Sequence, residues 1–273
     1  MEAILAFLFG LLIGSFLNVC IYRWPRDLSV VRPRSHCASC DQTIAWYDNI
    51  PLLSYALLGG RCRHCGARIP ARYPVVESLT GLLFFYFVWT LGPTLAALKM
   101  CVLAAIMTGL LFSDLEQRIL PDELTLGGAL AGFVFAAFVP TGIRLEEPEA
   151  TAQLFYWVLG VNPGARADSL IESALGALAP AAFLWIGGWL YEKVRHREGL
   201  GFGDVKLIAM AGAFLGLRGA LVLLFVGSIS GSILGYGYIK LTGKDPASYE
   251  LPFGTFLGAA GLLVAVVGQR IPL

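Results

Sequence analysis

Charge is what this chain has least of. Only 14% of its 273 residues are Asp, Glu, Lys or Arg, against 57% apolar ones, and its mean hydropathy is +0.70. A soluble domain carries roughly 25% charged residues, so most of this chain cannot face water. The net charge of +1 argues against nucleic acid as the main partner, because phosphate binding needs a concentrated basic face. No internal repeat stands out. No G-x-G-x-x-G follows a strand-like run. The first apolar run also lacks the marks of a removable signal. Glu2 is the only charged residue before Arg23, and no small-residue cleavage site follows, so the run is read as a retained first helix.

What is present is a series of apolar runs near the ~20 residues that a bilayer-crossing helix needs. Eight are expected, at about 3–22, 75–95, 96–113, 123–140, 169–191, 205–217, 219–240 and 253–271. The sixth is short for a span and is expected to be tilted or partly re-entrant. The fold class is an all-α polytopic membrane protein, because a transmembrane barrel would show alternating segments of about ten residues.

The basic residues orient the bundle. The first long loop holds Arg23, Arg26, Arg32, Arg34, Arg61, Arg63, Arg68 and Arg72. Placing it in the cytoplasm brings Arg118, Lys193, Arg195, Arg197, Lys206, Lys240 and Lys244 to the same side, fifteen of the twenty basic residues in all. The segment of about 141–168, with Glu146, Glu147 and Glu149, is then external and expected to be poorly ordered.

Four of the six cysteines form two C-x-x-C pairs, Cys37 with Cys40 and Cys62 with Cys65, separated by 21 residues. Each pair can offer two thiolates to one ion from a tight turn, and two pairs complete a tetrahedral four-sulfur zinc site. Disulfides are the rival reading, which a reducing cytoplasmic loop disfavours. Four protein ligands leave no open position, so the zinc is expected to be structural. His36 and His64 adjoin the cysteines as rival donors. Cys20 and Cys101 lie in apolar runs and receive no role.

Two aspartates mark the same membrane boundary. Asp114 closes the run ending Gly109-Leu-Leu-Phe-Ser113, and Asp204 stands in Gly201-Phe-Gly-Asp204 at the start of another. Carboxylates beside hydrocarbon are costly and point to function. If the two meet, one proton is shared between them. One can then take a proton from water while the other donates to a carbonyl. Gly201 and Gly203 would give an extended peptide room beside Asp204. The plain alternative is that Asp204 caps a helix. Asp122, after Pro121, is read mainly as such a cap, and Glu116 and Glu123 as solvated loop residues. Asn18 is read as an interhelical hydrogen-bonding group, Glu77 as a partner for Arg72 or Arg23, and Gly227, Gly231 and Gly235 as a helix-packing stripe.

These motifs stand in the order found in type IV prepilin peptidases. They are Gly14-Ser-Phe-Leu-Asn-Val-Cys-Ile-Tyr-Arg23, the two C-x-x-C pairs, Arg72-Tyr-Pro-Val-Val-Glu77, Asp114-Leu-Glu-Gln-Arg-Ile-Leu-Pro-Asp122, Gly201-Phe-Gly-Asp204-Val-Lys206 and Leu251-Pro-Phe-Gly-Thr-Phe256. The chain resembles that family from residue 14 to about 260. The resemblance implies a peptidase of the bacterial inner membrane that cleaves prepilins and pseudopilins after a glycine at the cytoplasmic face, with Asp114 and Asp204 carrying the proteolysis. It also implies methylation of the new N-terminal amine with S-adenosylmethionine, to which no residue is assigned. Three parts are then expected: 1–22 the first transmembrane helix, 23–74 the cytoplasmic zinc-binding loop, and 75–273 the transmembrane protease bundle. A transporter with ion-binding acids would place them at mid-bilayer, and no run carries an acid at its centre. A non-catalytic secretion-system scaffold would function without Asp204.

Overall fold

The computed structural model describes residues 1–142, 157–158, 160, 164–196, 200–243 and 251–268. The acidic stretch around Glu146, Glu147 and Glu149 lies outside them, as do Arg197, Lys244 and residues 269–271 of the last expected span. The chain is all-helical. Among the described residues the long elements are α1 (Glu2–Arg23), a short α2 (Leu53–Leu57), α3 (Arg72–Leu91), α4 (Leu95–Gln117), α5 (Asp122–Ala136), α6 (Ala165–Arg195), α7 (Phe202–Thr242) and α8 (Phe253–Val267). The only strand-like pairings there are two isolated bridges, His36 with Thr43 and Arg61 with Arg68. Helices α1, α3, α4, α6 and α7 are long and apolar enough to cross a membrane, and α8 is apolar but shorter. The chain is a multi-pass membrane protein. Each of the eight apolar runs falls on a helix. The sixth and seventh share α7, whose backbone leaves the helical region at Gly216 (φ 74°, ψ −178°).

The chain forms two compact units, Met1–Phe112 and Ser113–Leu273. In the first, α1 lies on α3 with the backbones nearly touching. A Cβ on Gly14 would stand 2.7 Å from the Glu77 Cα, and one on Gly10 would stand 2.8 Å from the Gly81 Cα. Lipid offers helices no hydrophobic drive to associate, so such close approach through small residues supplies the dispersion that holds them. Asn18 adds the expected interhelical bond, its Nδ2 donating to the Tyr73 carbonyl at 3.2 Å and to the Gly14 carbonyl at 3.2 Å. The buried Arg23 folds the loop back on the end of α1, donating to the carbonyls of Ser29 at 2.9 Å and Pro33 at 2.8 Å. Glu77 serves the other end of the loop, its Oε2 accepting the Leu52 amide at 2.9 Å. Both residues thus organise loop backbone.

In the second unit α6 and α7 approach as closely. A Cβ on Gly212 would stand 1.9 Å from the Gly176 carbonyl oxygen, and the Ser173 hydroxyl donates to the Ala213 carbonyl at 2.8 Å. The left-handed φ at Gly216 suits glycine alone and interrupts the helix, freeing the Leu217 N–H from any intrahelical partner. Glu172, only 1% exposed, accepts that N–H on Oε1 at 2.6 Å. The sequence does not single this residue out, because its partner lies 45 residues further along the chain. Replacing Glu172 with Leu leaves the partly buried Leu217 N–H without this acceptor. Glu172→Leu is therefore expected to lower stability by about 1–3 kcal/mol, and Glu172→Gln by less. Thermal unfolding of the detergent-solubilised protein measures the difference. The stripe of Gly227, Gly231 and Gly235 packs α7 on α8 as expected, against Leu257, Phe256 and Leu251.

Candidate active site

Three helix ends converge in the second unit. Asp114 stands in the last turn of α4 and is 6% exposed. The chain then reverses through a short turn, in which Arg118 takes a left-handed φ of 55° and Ser113 donates its hydroxyl to the Ile119 carbonyl at 2.8 Å. The turn delivers Leu120 between two other helix starts. A Cβ on Gly203 of α7 would stand 3.2 Å from the Leu120 Cβ, and one on Gly254 of α8 would stand 3.0 Å from the Leu120 Cδ1 and 3.0 Å from the Asp114 Cγ. Asp204 lies in the first turn of α7, close enough for the charge of Asp114 to act on it.

The cap reading fails for both candidate caps. The N-cap of α7 is Gly201, and no side chain caps that helix. The Asp204 carboxylate is thus free for other work. Asp122 is not the N-cap of α5 either; Pro121 is, again without a side-chain cap. Asp122 pairs instead with the ammonium of Lys206, tying the start of α5 to that of α7. Glu116 and Glu123 are exposed as expected, but on helix rather than loop, in the last turn of α4 and the first turn of α5.

Thr255 is the residue that sequence reasoning missed. Its backbone N–H and its hydroxyl both donate to Asp114 Oδ2, at 2.6 Å and 2.8 Å. A threonine two places after a Pro-Phe pair carries no signal by itself; only its position at the start of α8, 141 residues from Asp114, reveals the contact.

The two glycines beside Asp204 prove unequal. Space at Gly203 is already taken by Leu120. At Gly201 an added Cβ would meet only the Asp204 Oδ2, at 3.4 Å. The open approach to Asp204 therefore runs past Gly201. Gly201→Val is expected to slow turnover at least about tenfold with unchanged thermal stability, since it crowds the approach and disturbs nothing packed. Gly203→Ala is expected to be felt mainly in stability, by about 1–3 kcal/mol, through displacement of Leu120. Equal stability losses in both variants would show that the two positions do not differ in this way.

In the first unit the four cysteines of the C-x-x-C pairs converge, and their sulfurs all lie within 4.8 Å of one another. The two turns are built alike. In one, the Cys37 N–H donates to the Gln42 carbonyl at 2.9 Å and the Asp41 N–H to the Cys37 carbonyl at 2.9 Å; in the other, the Cys62 N–H donates to the Ala67 carbonyl at 2.8 Å and the Gly66 N–H to the Cys62 carbonyl at 2.9 Å. Asp41 and Gly66 occupy matching left-handed positions, φ 55° and 70°. All six cysteines are free thiols. A zinc ion with bonds of ~2.3 Å in a tetrahedron sets its sulfurs ~3.8 Å apart, and Cys37 Sγ stands 3.8 Å from Cys65 Sγ.

The electrostatics agree with a cation site. The amides of Cys65 and His64 pull the Cys62 thiol down to about 6. Cys40, although it receives a backbone hydrogen bond at Gln42, is pushed up to about 12 by desolvation and the three neighbouring sulfurs. Four crowded sulfurs cannot all ionise unless a cation neutralises them. The histidines stay outside the cluster, and His36 Nδ1 lies 3.2 Å from the Arg34 carbonyl oxygen. Arg63, within the second turn, grips Asp48 with two hydrogen bonds of 2.8 Å and 2.6 Å, and its guanidinium holds the Asp48 carboxyl below the usual carboxylate range.

The first unit also carries a half-open cleft of about 410 Å³. It is bounded by Leu12, Phe16 and Arg23 of α1 and by Arg34, Trp46 and Asn49 of the loop.

Fold and site together define a polytopic membrane protein with two aspartates at converging helix ends and a four-thiol cluster of metal-binding type. Residues 8–91 match the bacterial peptidase A24 N-terminal domain, and residues 101–236 match the type IV leader peptidase family. A prepilin leader peptidase/N-methyltransferase of Myxococcus xanthus is 41% identical over 89% of this chain, which spans 64% of that protein's length. Relatives of the same name from Aeromonas salmonicida and Pseudomonas aeruginosa are 34% and 31% identical. They align with 98% and 97% of this chain and over 91% and 90% of their own length. No solved structure matches the chain significantly. The chain belongs to the type IV leader peptidase family.

Proposed function

We propose that this protein is a membrane-embedded aspartyl endopeptidase. It cleaves the leader of type IV prepilins and pseudopilins after glycine at the cytoplasmic face of the inner membrane, and N-methylates the new N-terminal residue with S-adenosylmethionine. The observation that supports the proteolytic half is the placement of Asp114 and Asp204 at helix ends that converge on Leu120. Two carboxylates that share a proton can activate water and protonate a carbonyl in one step. The distribution of basic residues supports a cytoplasmic site. A helical substrate hides its carbonyls in hydrogen bonds and must unwind locally before attack. Glycine at the cut eases this by ~1 kcal/mol relative to alanine. The open side of Asp204 at Gly201 gives the unwound segment its approach. Acids at helix ends also disfavour a transporter, whose sites lie near the midplane.

Cys37, Cys40, Cys62 and Cys65 hold structural zinc in this reading. The methyl donor has a candidate place in the cleft of the first unit, whose volume falls in the range of small-ligand sites. There Arg34 would meet its carboxylate, the Trp46 face its sulfonium, and Asn49 its hydroxyl groups. When bound it supplies an electrophilic methyl group. The test is incubation of the purified protein with a prepilin and S-adenosylmethionine, followed by mass spectrometry of the product N-terminus. A leaderless, methylated chain is expected. An intact prepilin refutes the peptidase reading, and a leaderless but unmethylated chain refutes the methylating half.

A further inference from the structure

The geometry points to a fixed division of labour in the carboxylate pair: Asp114 is the base that activates water, Asp204 is the acid, and Thr255 is the positioning residue that imposes this order. The inference rests on the proteolytic reading above and adds which carboxylate does what.

Asp114 Oδ2 accepts two hydrogen bonds from one residue, the Thr255 N–H at 2.6 Å and the Thr255 hydroxyl at 2.8 Å. An oxygen accepting two short donors has no place for a proton of its own, and both bonds suit a charged carboxylate. Thr255 is the third residue of α8, so its N–H lies in the first turn, at the positive end of the helix dipole. Its longer contact to the Pro252 carbonyl, at 3.3 Å, is weaker than the 2.6 Å bond to Asp114. Gly254 lets that end press on the carboxylate, since a Cβ there would stand 3.0 Å from the Asp114 Cγ. Arg118, one turn beyond, also faces Asp114 with its charge, whereas Lys206 is committed to Asp122. Asp114 is thereby pinned by one oxygen, and Oδ1 accepts no hydrogen bond among the described residues.

Asp204 is held differently. Its carboxylate accepts no hydrogen bond among the described residues, and it lies half-buried at the open start of α7. It is free to turn towards a substrate carbonyl and to carry the shared proton there.

The step then balances. Asp114 Oδ1 takes a proton from water as the water oxygen bonds to the carbonyl carbon, and the C=O π pair moves to the carbonyl oxygen, which takes the proton of Asp204. On collapse the pair of the C–N bond goes to nitrogen, which takes the proton back from Asp114, while Asp204 recovers one from a hydroxyl. One water is split between a carboxylic acid and an amine.

Thr255→Val removes the hydroxyl donor and keeps the amide and the branched shape; Thr255→Ser keeps both donors. Steady-state cleavage of a prepilin by the full-length protein should show kcat lower by about 10- to 100-fold in the Val variant, with KM within about twofold. The Ser variant should stay within about threefold of wild type. If the Val variant fails to insert, Thr255→Ala against Thr255→Ser is read by the same criteria. Wild-type kcat without the hydroxyl, a loss confined to KM, or a Ser variant as slow as the Val variant overturns the assignment. A wild-type protein that cleaves no prepilin would instead overturn the peptidase reading itself.

Discussion

Asp114→Asn and Asp204→Asn should each lower leader cleavage by about 10³-fold or more, within the range expected when a general acid or base is lost. The two are expected to fail equally, although Thr255 fixes only one of them. A pair that passes protons in a cycle stops when either member becomes an amide, which can neither take nor return one. Both variants should insert, retain metal and unfold near the wild-type temperature, since an amide fills the same space. Methylation of a pilin supplied without its leader should persist, because the proposed donor cleft lies in the first unit. Cleavage at wild-type rates in either variant would remove that residue from the chemistry. Loss of both cleavage and methylation together with a lowered unfolding temperature would indicate misfolding instead.

The second large effect concerns the metal. Elemental analysis should find one zinc per chain, and Cys62→Ser should abolish it, because three thiolates do not close the tetrahedron. Zinc binding in small domains carries about 10–16 kcal/mol of apparent free energy. The loop of residues 23–71 contains only one short α-helix and two brief 3₁₀ turns, so it has little else to order it. Losing the ion should open this loop to proteolysis between the C-x-x-C pairs and lower the unfolding temperature. Leader cleavage should fall far less than in the aspartate variants, within about tenfold, since no cysteine belongs to the carboxylate centre. A zinc-free preparation with an ordered, protease-resistant loop would refute the structural-metal reading.

The substitutions at Glu172, Gly201 and Thr255 test features that the sequence alone does not reveal, and the contrast has a physical basis. Composition and hydropathy determined the membrane class and the positions of all eight apolar runs, because transfer into lipid depends on local apolar content and length. The thiol cluster was legible for a similar reason: a C-x-x-C turn brings two sulfurs together with no help from distant chain, and one ion needs two such turns. Asp114 and Asp204 stood out because carboxylates bordering long apolar runs are costly and therefore rare.

Partners were another matter. Asp122 read as a helix cap and proved to be the partner of Lys206; both residues stand where either role is locally possible, and only the approach of α5 to α7 chooses. Gly203 read as room for a peptide, yet Leu120 occupies that room, whereas Gly201 is open. Thr255 stood within a family motif without a role and Glu172 was not singled out, since each acts on a group far along the chain that packing brings within 3 Å. Local composition therefore determined that this chain lies in a membrane and which groups are candidates for its chemistry. The tertiary structure alone decided which oxygen each donor meets, because hydrogen-bond distances depend on helix crossings that no short stretch of sequence encodes.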